Sequence, residues 1–87
     1  NPFTGTARIS FEIPQVENNR PTRIVVYNAF GQKVRTLINE VRNAGLHDVY
    51  WDGTNSNAKA AASGVYFVTM TFGSSKQVKK IVFLGSE

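Results

Sequence analysis

The sequence predicts an all-β fold, a sandwich or barrel of short antiparallel strands. Three observations lead to this prediction. Several segments alternate polar and apolar residues with a period of two, which is typical of strands that bury one face. Clusters of Gly, Asn, Asp and Pro interrupt these segments about every ten residues, as turns do in all-β proteins. The 87 residues are 41% hydrophobic and 18% charged, which suffices for one small core, so we expect a single domain over residues 1–87.

Six strands are expected along the chain. The first covers residues 8–13 and ends at Pro14, because proline cannot donate a hydrogen bond to a sheet. A turn at Gly31 then joins two strands into a hairpin. The expected strands after the first cover residues 22–28, 33–38, 47–51, 65–72 and 76–84, and residues 59–62 are a candidate seventh.

Two of these strands raise a local question. Residues 34–42 also fit a helical period, although their place after a hairpin turn favours a strand. The residues that fit the helical period are Val34, Leu37, Ile38 and Val41. In the last strand, Val78 does not share a face with Ile81 and Phe83 under strict alternation. We therefore expect a β-bulge near residues 79–80.

Two features indicate the type of sandwich. Gly64 stands two residues before Tyr66 at the start of a long strand, which resembles the tyrosine corner of Ig-like sandwiches. Trp51 is large enough to fill the space between two sheets. The prediction is thus an Ig-like antiparallel β-sandwich of about seven strands, held without a disulfide because the chain has no Cys. The expected core consists of Ile9, Phe11, Ile13, Ile24, Val26, Val34, Val49, Trp51, Tyr66, Val68 and Phe83.

The sequence offers little catalytic chemistry, and we expect no enzyme and no cofactor. His47 and Asp48 are neighbours on a strand, so their side chains point to opposite faces and cannot form a catalytic pair. Asp52, Asn55 and Asn57 could supply oxygen atoms to a cation. Asx residues beside a glycine more often close turns with their own side chains, so we favour a turn there and expect no metal site.

Two binding functions, for polysaccharide and for nucleic acid, are hypotheses to weigh against a purely structural role. The aromatic residues not assigned to the core are Tyr27, Phe30, Tyr50, Phe67 and Phe72. A row formed by Tyr27, Tyr50 and Phe67 could bind a polysaccharide. The net charge of +4 raises the question of nucleic acid at Lys76, Lys79 and Lys80, but scattered basic residues more often keep strands soluble, so no nucleic-acid partner is expected. No apolar run is long enough to span a membrane.

An ordered set of short segments resembles a known family. The segments are NPF at residues 1–3, ISFEIP at 9–14, VYNAFGQKV at 26–34, AGLHDVYWDG at 44–53, ASGVYF at 62–67 and KKIV at 79–82. Together they are similar to the type IX secretion system C-terminal sorting domain (the Por secretion family) and to the closely similar Ig-like module of flagellar hook-capping proteins. Within this pattern, Trp51, Asp52, Gly53, Gly64 and Tyr66 are the structural signature.

The resemblance to the sorting domain implies a function in secretion. The domain would be a C-terminal module excised from a larger secreted bacterial protein, whose catalytic or adhesive domain precedes Asn1. Outer-membrane secretion machinery would recognise it in the periplasm and carry it to the cell surface or medium. The candidate recognition strand is Lys79, Lys80, Ile81, Val82, Phe83 and Leu84, which could pair with a partner by strand addition at a sheet edge. The alternative is a structural Ig-like or carbohydrate-binding accessory module of a secreted glycoside hydrolase.

Overall fold

The structure is a computed structural model that describes residues 2–3 and 5–84. Seven strands account for most of the described chain, and one short 3-10 turn, Gln15–Glu17, follows β2. The strands are β1 (Pro2–Phe3), β2 (Ala7–Ile13), β3 (Arg20–Asn28), β4 (Lys33–Arg42), β5 (Gly45–Trp51), β6 (Gly64–Phe72) and β7 (Ser75–Phe83). The described chain contains no helix that could cross a membrane.

The strands form two sheets. The larger sheet has five strands in the order β1-β7-β6-β3-β4, and the smaller sheet has two strands, β2 and β5. All pairs are antiparallel except the short parallel contact of β1 with β7. The predicted all-β, Ig-like sandwich without a disulfide is confirmed.

Three local expectations need correction. Residues 34–42 lie within β4, so the helical alternative is wrong. The pairing of β6 with β7 runs without a register shift from Gly64↔Phe83 to Phe72↔Ser75, so the expected bulge is absent. Val78 simply faces the outside of the sheet, opposite Thr69. The seventh strand is β1, because in residues 59–62 only Ala60 forms an isolated bridge, with Thr54.

The core lies between the two sheets and contains nearly every residue expected there. Val34 alone of the predicted set is only partly buried, since it lies at a register shift in β4. The sequence reading missed Val25, Ile38, Met70, Phe72 and Ile81, which are all buried. Phe72 was expected on the surface, and that expectation is wrong because its ring is fully buried and stacks on Phe11 with centroids 5.6 Å apart.

Candidate interaction surface

The turn that follows β5 is built around Trp51. The indole is fully buried, lies 5.1 Å from the Tyr66 ring and 5.4 Å from the Phe83 ring between centroids, and donates its N–H to the Thr54 carbonyl at 2.9 Å. Gly53 adopts a φ of 78°. A Cβ atom there would lie 2.6 Å from Cζ of Phe83. Only glycine at position 53 therefore allows the turn to pack this closely against the core. This segment therefore supports the sandwich from within.

The polar side chains of the same turn bind each other. Asp52 accepts hydrogen bonds on Oδ1 from the Thr54 hydroxyl at 2.5 Å and from the Thr54 backbone N–H at 3.1 Å. The Thr54 hydroxyl in turn accepts a hydrogen bond from Arg35 at 2.6 Å. The two hydrogen bonds that Thr54 donates lower the pKa of Asp52, and the bond from the Thr54 hydroxyl has the larger effect. The Asn55 side chain likewise accepts hydrogen bonds from the backbone N–H groups of residues 57 and 59. The side chains of Asp52 and Asn55 therefore stabilise the loop in which they lie.

Tyr66 fixes the start of β6. Its hydroxyl donates a hydrogen bond to the Ala62 carbonyl at 2.5 Å, which is the bond expected of a tyrosine corner. The ring is buried against Trp51, and burial raises the pKa of the hydroxyl. Gly64, with a φ of 154°, begins the strand.

His47 and Asp48 do not form a catalytic pair. The His47 ring stacks on Phe11 with centroids 5.5 Å apart, and its Nε2 lies 2.8 Å from the Asn43 carbonyl, to which only an N–H can donate. Its Nδ1 is then the acceptor for Arg42 at 3.3 Å. Asp48 is on the other side of β5 and accepts the Ser10 hydroxyl at 2.6 Å. Both ring nitrogens of His47 are therefore used in structural contacts.

A buried carboxylate was not recognised from the sequence, because Glu17 stands in a polar turn. Its side chain accepts hydrogen bonds from the hydroxyls of Ser75 at 2.8 Å and Ser74 at 2.9 Å. These bonds, with the Ser75 bond the largest contribution, lower the pKa of Glu17. The carboxylate ties the turn after β2 to the turn between β6 and β7, so its role is structural.

The candidate recognition strand lies in the larger sheet rather than at a fully open edge. Its residues 79–83 belong to β7, which pairs with β6 on one side and with β1 at Val82 and Phe83 on the other. Lys80 is opposite Phe67, whereas Lys79 is opposite the buried Val68, so the two lysines point to opposite faces. The two lysines therefore do not form one basic patch. Within the described residues, β1 covers the edge of β7 only at Val82 and Phe83.

The side of the larger sheet that points away from β2 and β5, here called the outer face, carries the most distinctive surface. Its central cross-strand row is Lys33–Tyr27–Phe67–Lys80 across β4, β3, β6 and β7. The next row joins Val25, Thr69 and Val78, and Val65 pairs with Val82 beyond the central row. Arg23 and Lys76 lie in the row on the far side, each opposite Thr71.

This arrangement separates residues that the sequence reading grouped together. Tyr27 and Phe67 are adjacent, but Tyr50 lies on the smaller sheet opposite Arg8, so the expected aromatic row for a polysaccharide does not form. Sequence reasoning also missed Arg23 and Lys33 as members of the outer face. The signal was the two-residue alternation of β3 and β4, which becomes useful only when the register is known.

The hairpin between β3 and β4 presents Phe30 at its tip. The side chain is 89% exposed. Its backbone is held by Asn28, whose Oδ1 accepts the N–H groups of Phe30 at 2.9 Å and Gln32 at 3.0 Å. Phe30 lines a shallow cavity of about 180 Å³ at the end of the larger sheet, together with Val65 of the outer face and the inward-facing Tyr66. The tip is thus an exposed aromatic ring at the end of the larger sheet, on a backbone held by hydrogen bonds.

Comparisons with known proteins place these features in a family. The sequence model of the FlgD Ig-like domain matches residues 1–76. A solved structure of FlgD from Xanthomonas campestris, described in connection with hook capping, superposes with a TM-score of 0.63 at 23% sequence identity. The alignment covers 90% of this chain and 55% of that one, so the chain spans about half of the length of the FlgD chain. No curated protein matches.

These matches correct the functional expectations. The type IX sorting domain and the glycoside hydrolase accessory module are wrong, because the matching family is that of FlgD. The outer-membrane secretion machinery and the parent catalytic or adhesive domain are therefore wrong as partners, and so is the expected location in the periplasm and then at the cell surface. The polysaccharide partner is wrong with the accessory module.

The physical reason for the error lies in the residues that carried the resemblance. Trp51, Gly53 and Tyr66 build the interior and its turns, so sandwiches of different function can share them. The hook-capping side of the original resemblance is the one that the comparisons support. The chain belongs to the FlgD Ig-like domain family.

Proposed function

We propose that this chain is a structural Ig-like module of a flagellar hook-capping protein and that it acts by binding other proteins rather than by catalysis. The match of the FlgD Ig-like domain over residues 1–76 carries the proposal. The similar solved structure is of a FlgD linked to hook capping in flagellar assembly. Because the chain covers 55% of that protein, the proposal assigns it one binding part within the longer protein's activity.

The side-chain chemistry supports a binding role. In the described part of the chain, His47 uses both ring nitrogens in contacts with Asn43 and Arg42, and the Asp52 and Glu17 carboxylates hold turns together. Acid–base catalysis needs a titratable group within reach of a substrate. These groups are instead directed at their own backbone and neighbours, which is what a scaffold requires.

The test is replacement of the Ig-like segment of the hook-capping protein in a motile bacterium by residues 1–87 of this chain. We expect the chimera to assemble hooks, seen by electron microscopy, and to restore swimming in soft agar. An unrelated Ig-like sandwich of similar size is the control for a mere spacer. Restoration by that sandwich as well, or a folded and exported chimera that builds no hooks, would contradict the proposal.

A further inference from the structure

The outer face of the larger sheet has no partner within the described chain. We infer that it is a docking surface for a protein whose contact surface is apolar at its centre and acidic at its rim. The inference goes beyond the proposed function, because it concerns the isolated chain and holds whether or not the chain contributes to a hook cap.

The centre of the outer face is apolar. Tyr27 and Phe67 are directly opposite each other on β3 and β6, and Val65 pairs with Val82 beside them. Val25, on the same face, is only 2% exposed, so its neighbours already pack over it as closely as in a core. Aromatic residues that are packed among aliphatic ones and open on one side are typical of the centre of a protein interface.

Phe30 extends this apolar centre beyond the end of the sheet. Covering its exposed ring with a partner removes apolar surface from water, which is favourable. The hydrogen bonds that Phe30 and Gln32 donate to Asn28 hold the hairpin, so little backbone freedom remains to be lost when a partner covers the ring. An aromatic side chain on a backbone held in this way is suited to anchor a complex.

The charges of the outer face are all of one sign. Arg23, Lys33, Lys76 and Lys80 surround the apolar centre, and no ion pair engages them within the described residues. None of the acidic residues in the described part of the chain lies on this face: Glu12 and Asp48 are on the smaller sheet, Glu17 and Asp52 are in turns, and Glu40 lies opposite the inward-facing Thr22. Complementarity therefore requires acidic groups at the partner's rim.

The size of the face fits one side of an interface. Four strands spaced about 4.8 Å apart, with about nine residues at about 3.3 Å each, give roughly 570 Å² before the hairpin tip is added. A stable interface covers about 800 Å² on each side. The acidic Glu12 and Asp48 lie on the solvent side of the smaller sheet. The same calculation gives the two strands of that sheet, with seven residues each, an area of only roughly 220 Å². A second copy of this chain is therefore a poor occupant, and two basic faces would repel each other.

Single-stranded nucleic acid also fits less well. It binds by stacking its bases on exposed aromatic rings along a basic groove. Here the Tyr27 and Phe67 rings are half-buried, and the flanking residues Val65, Val78 and Val82 offer no flat surface. The aliphatic surroundings favour apolar side chains of a protein.

The experiment measures binding of three polymers to the immobilised chain at constant physiological salt. The probes are a random copolymer of glutamate and tyrosine, poly-glutamate and oligo(dT). We expect the copolymer to bind about tenfold more tightly than poly-glutamate, because only the copolymer supplies apolar groups. Phe30→Ser and Lys80→Glu, both at exposed positions, should each weaken copolymer binding about fivefold or more.

Matched variants separate the outer face from general charge and hydrophobicity. Lys79→Glu changes the charge equally but lies opposite Val68, on the other side of β7. Leu46→Ser removes an 83% exposed apolar side chain from the smaller sheet. Both should leave copolymer binding within about twofold, since they lie outside the outer face. Circular dichroism would establish that each variant is folded.

Four outcomes would overturn the inference. They are equal binding of the copolymer and poly-glutamate, equal losses in Lys79→Glu and Lys80→Glu, tighter binding of oligo(dT) than of the copolymer, and self-association of the chain that Lys80→Glu abolishes. The first two would mean that only net charge matters, the third that the face binds nucleic acid, and the fourth that its occupant is a second copy. Failure of hook assembly, in contrast, would leave these binding results unchanged.

Discussion

Replacement of Trp51 by alanine tests whether the turn after β5 supports the whole sandwich. The indole is fully buried, contacts the Tyr66 and Phe83 rings, and donates its N–H to the Thr54 carbonyl. Loss of a buried Trp side chain to alanine costs about 3–5 kcal/mol. A domain of this size has a total stability of roughly 4–13 kcal/mol. We therefore expect Trp51→Ala to remove a large share of the folding free energy.

Chemical denaturation followed by circular dichroism measures this loss, because Trp51 is the sole tryptophan and its fluorescence disappears with the substitution. Tyr50→Ala is the matched control: Tyr50 is the preceding residue of β5 but its side chain is 57% exposed, so we expect a loss of less than about 1 kcal/mol. A loss below about 1 kcal/mol for Trp51→Ala, or equal losses for the two variants, would refute the reasoning.

Two further predictions concern turns. Both Gly53 and Gly31 have a positive φ, but only at Gly53 would a Cβ atom meet the Phe83 ring. Because overpacking adds to backbone strain there, Gly53→Ala should destabilise the protein by about 2 kcal/mol more than Gly31→Ala. Equal losses of unfolding free energy in chemical denaturation would mean that the Phe83 ring moves aside. The second concerns Glu17, whose pKa is lowered in the folded protein by hydrogen bonds from Ser75 and Ser74. The stabilisation that the ionised Glu17 gives the folded protein is complete at pH values above the ordinary glutamate pKa of about 4.5. It is lost as the carboxylate takes up a proton, so the melting temperature should fall as the pH drops below about 4.5. In thermal melts, Glu17→Gln should have a lower melting temperature than the parent, and that temperature should change less with pH. The control Glu12→Gln, at an exposed position, should melt as the parent does. A Glu17→Gln variant whose melting temperature keeps the parent's pH dependence would contradict the role given to the carboxylate.

The interior of the sandwich was largely accessible from the sequence. Strict alternation in β2 places Ile9, Phe11 and Ile13 on one face, and the structure buries all three. Alternation works there because one face of the strand is buried and the other is open. It failed at Val25, which by alternation lies on the outer face and is nevertheless buried, because packing among cross-strand neighbours does not show in a single strand.

The remaining errors have the same origin in long-range pairing. A bulge near residues 79–80 was expected only because Val78 was assumed to be inside, whereas the register with β6 turns it outward. The burial of Glu17 depends on hydroxyls of Ser74 and Ser75, which are nearly 60 residues away in the sequence. Neither the register nor such a distant contact has a local sequence signal.

The division between inner and outer residues also explains why the fold could be read from the sequence and the function could not. The segments shared by the sorting domain and the hook-capping module include the buried Trp51 and Tyr66 and the turn at Gly53, so they report how the chain folds. A partner would contact Phe30, Lys80 and the pair formed by Tyr27 and Phe67. These residues lie in the same shared segments, at 26–34, 62–67 and 79–82, but they come together on one surface only when β3, β6 and β7 pair. The surface that would distinguish one Ig-like module from another is therefore formed by strand pairing and has no local signal in the sequence. Substitutions at the exposed Phe30 and Lys80 should change binding while leaving stability intact.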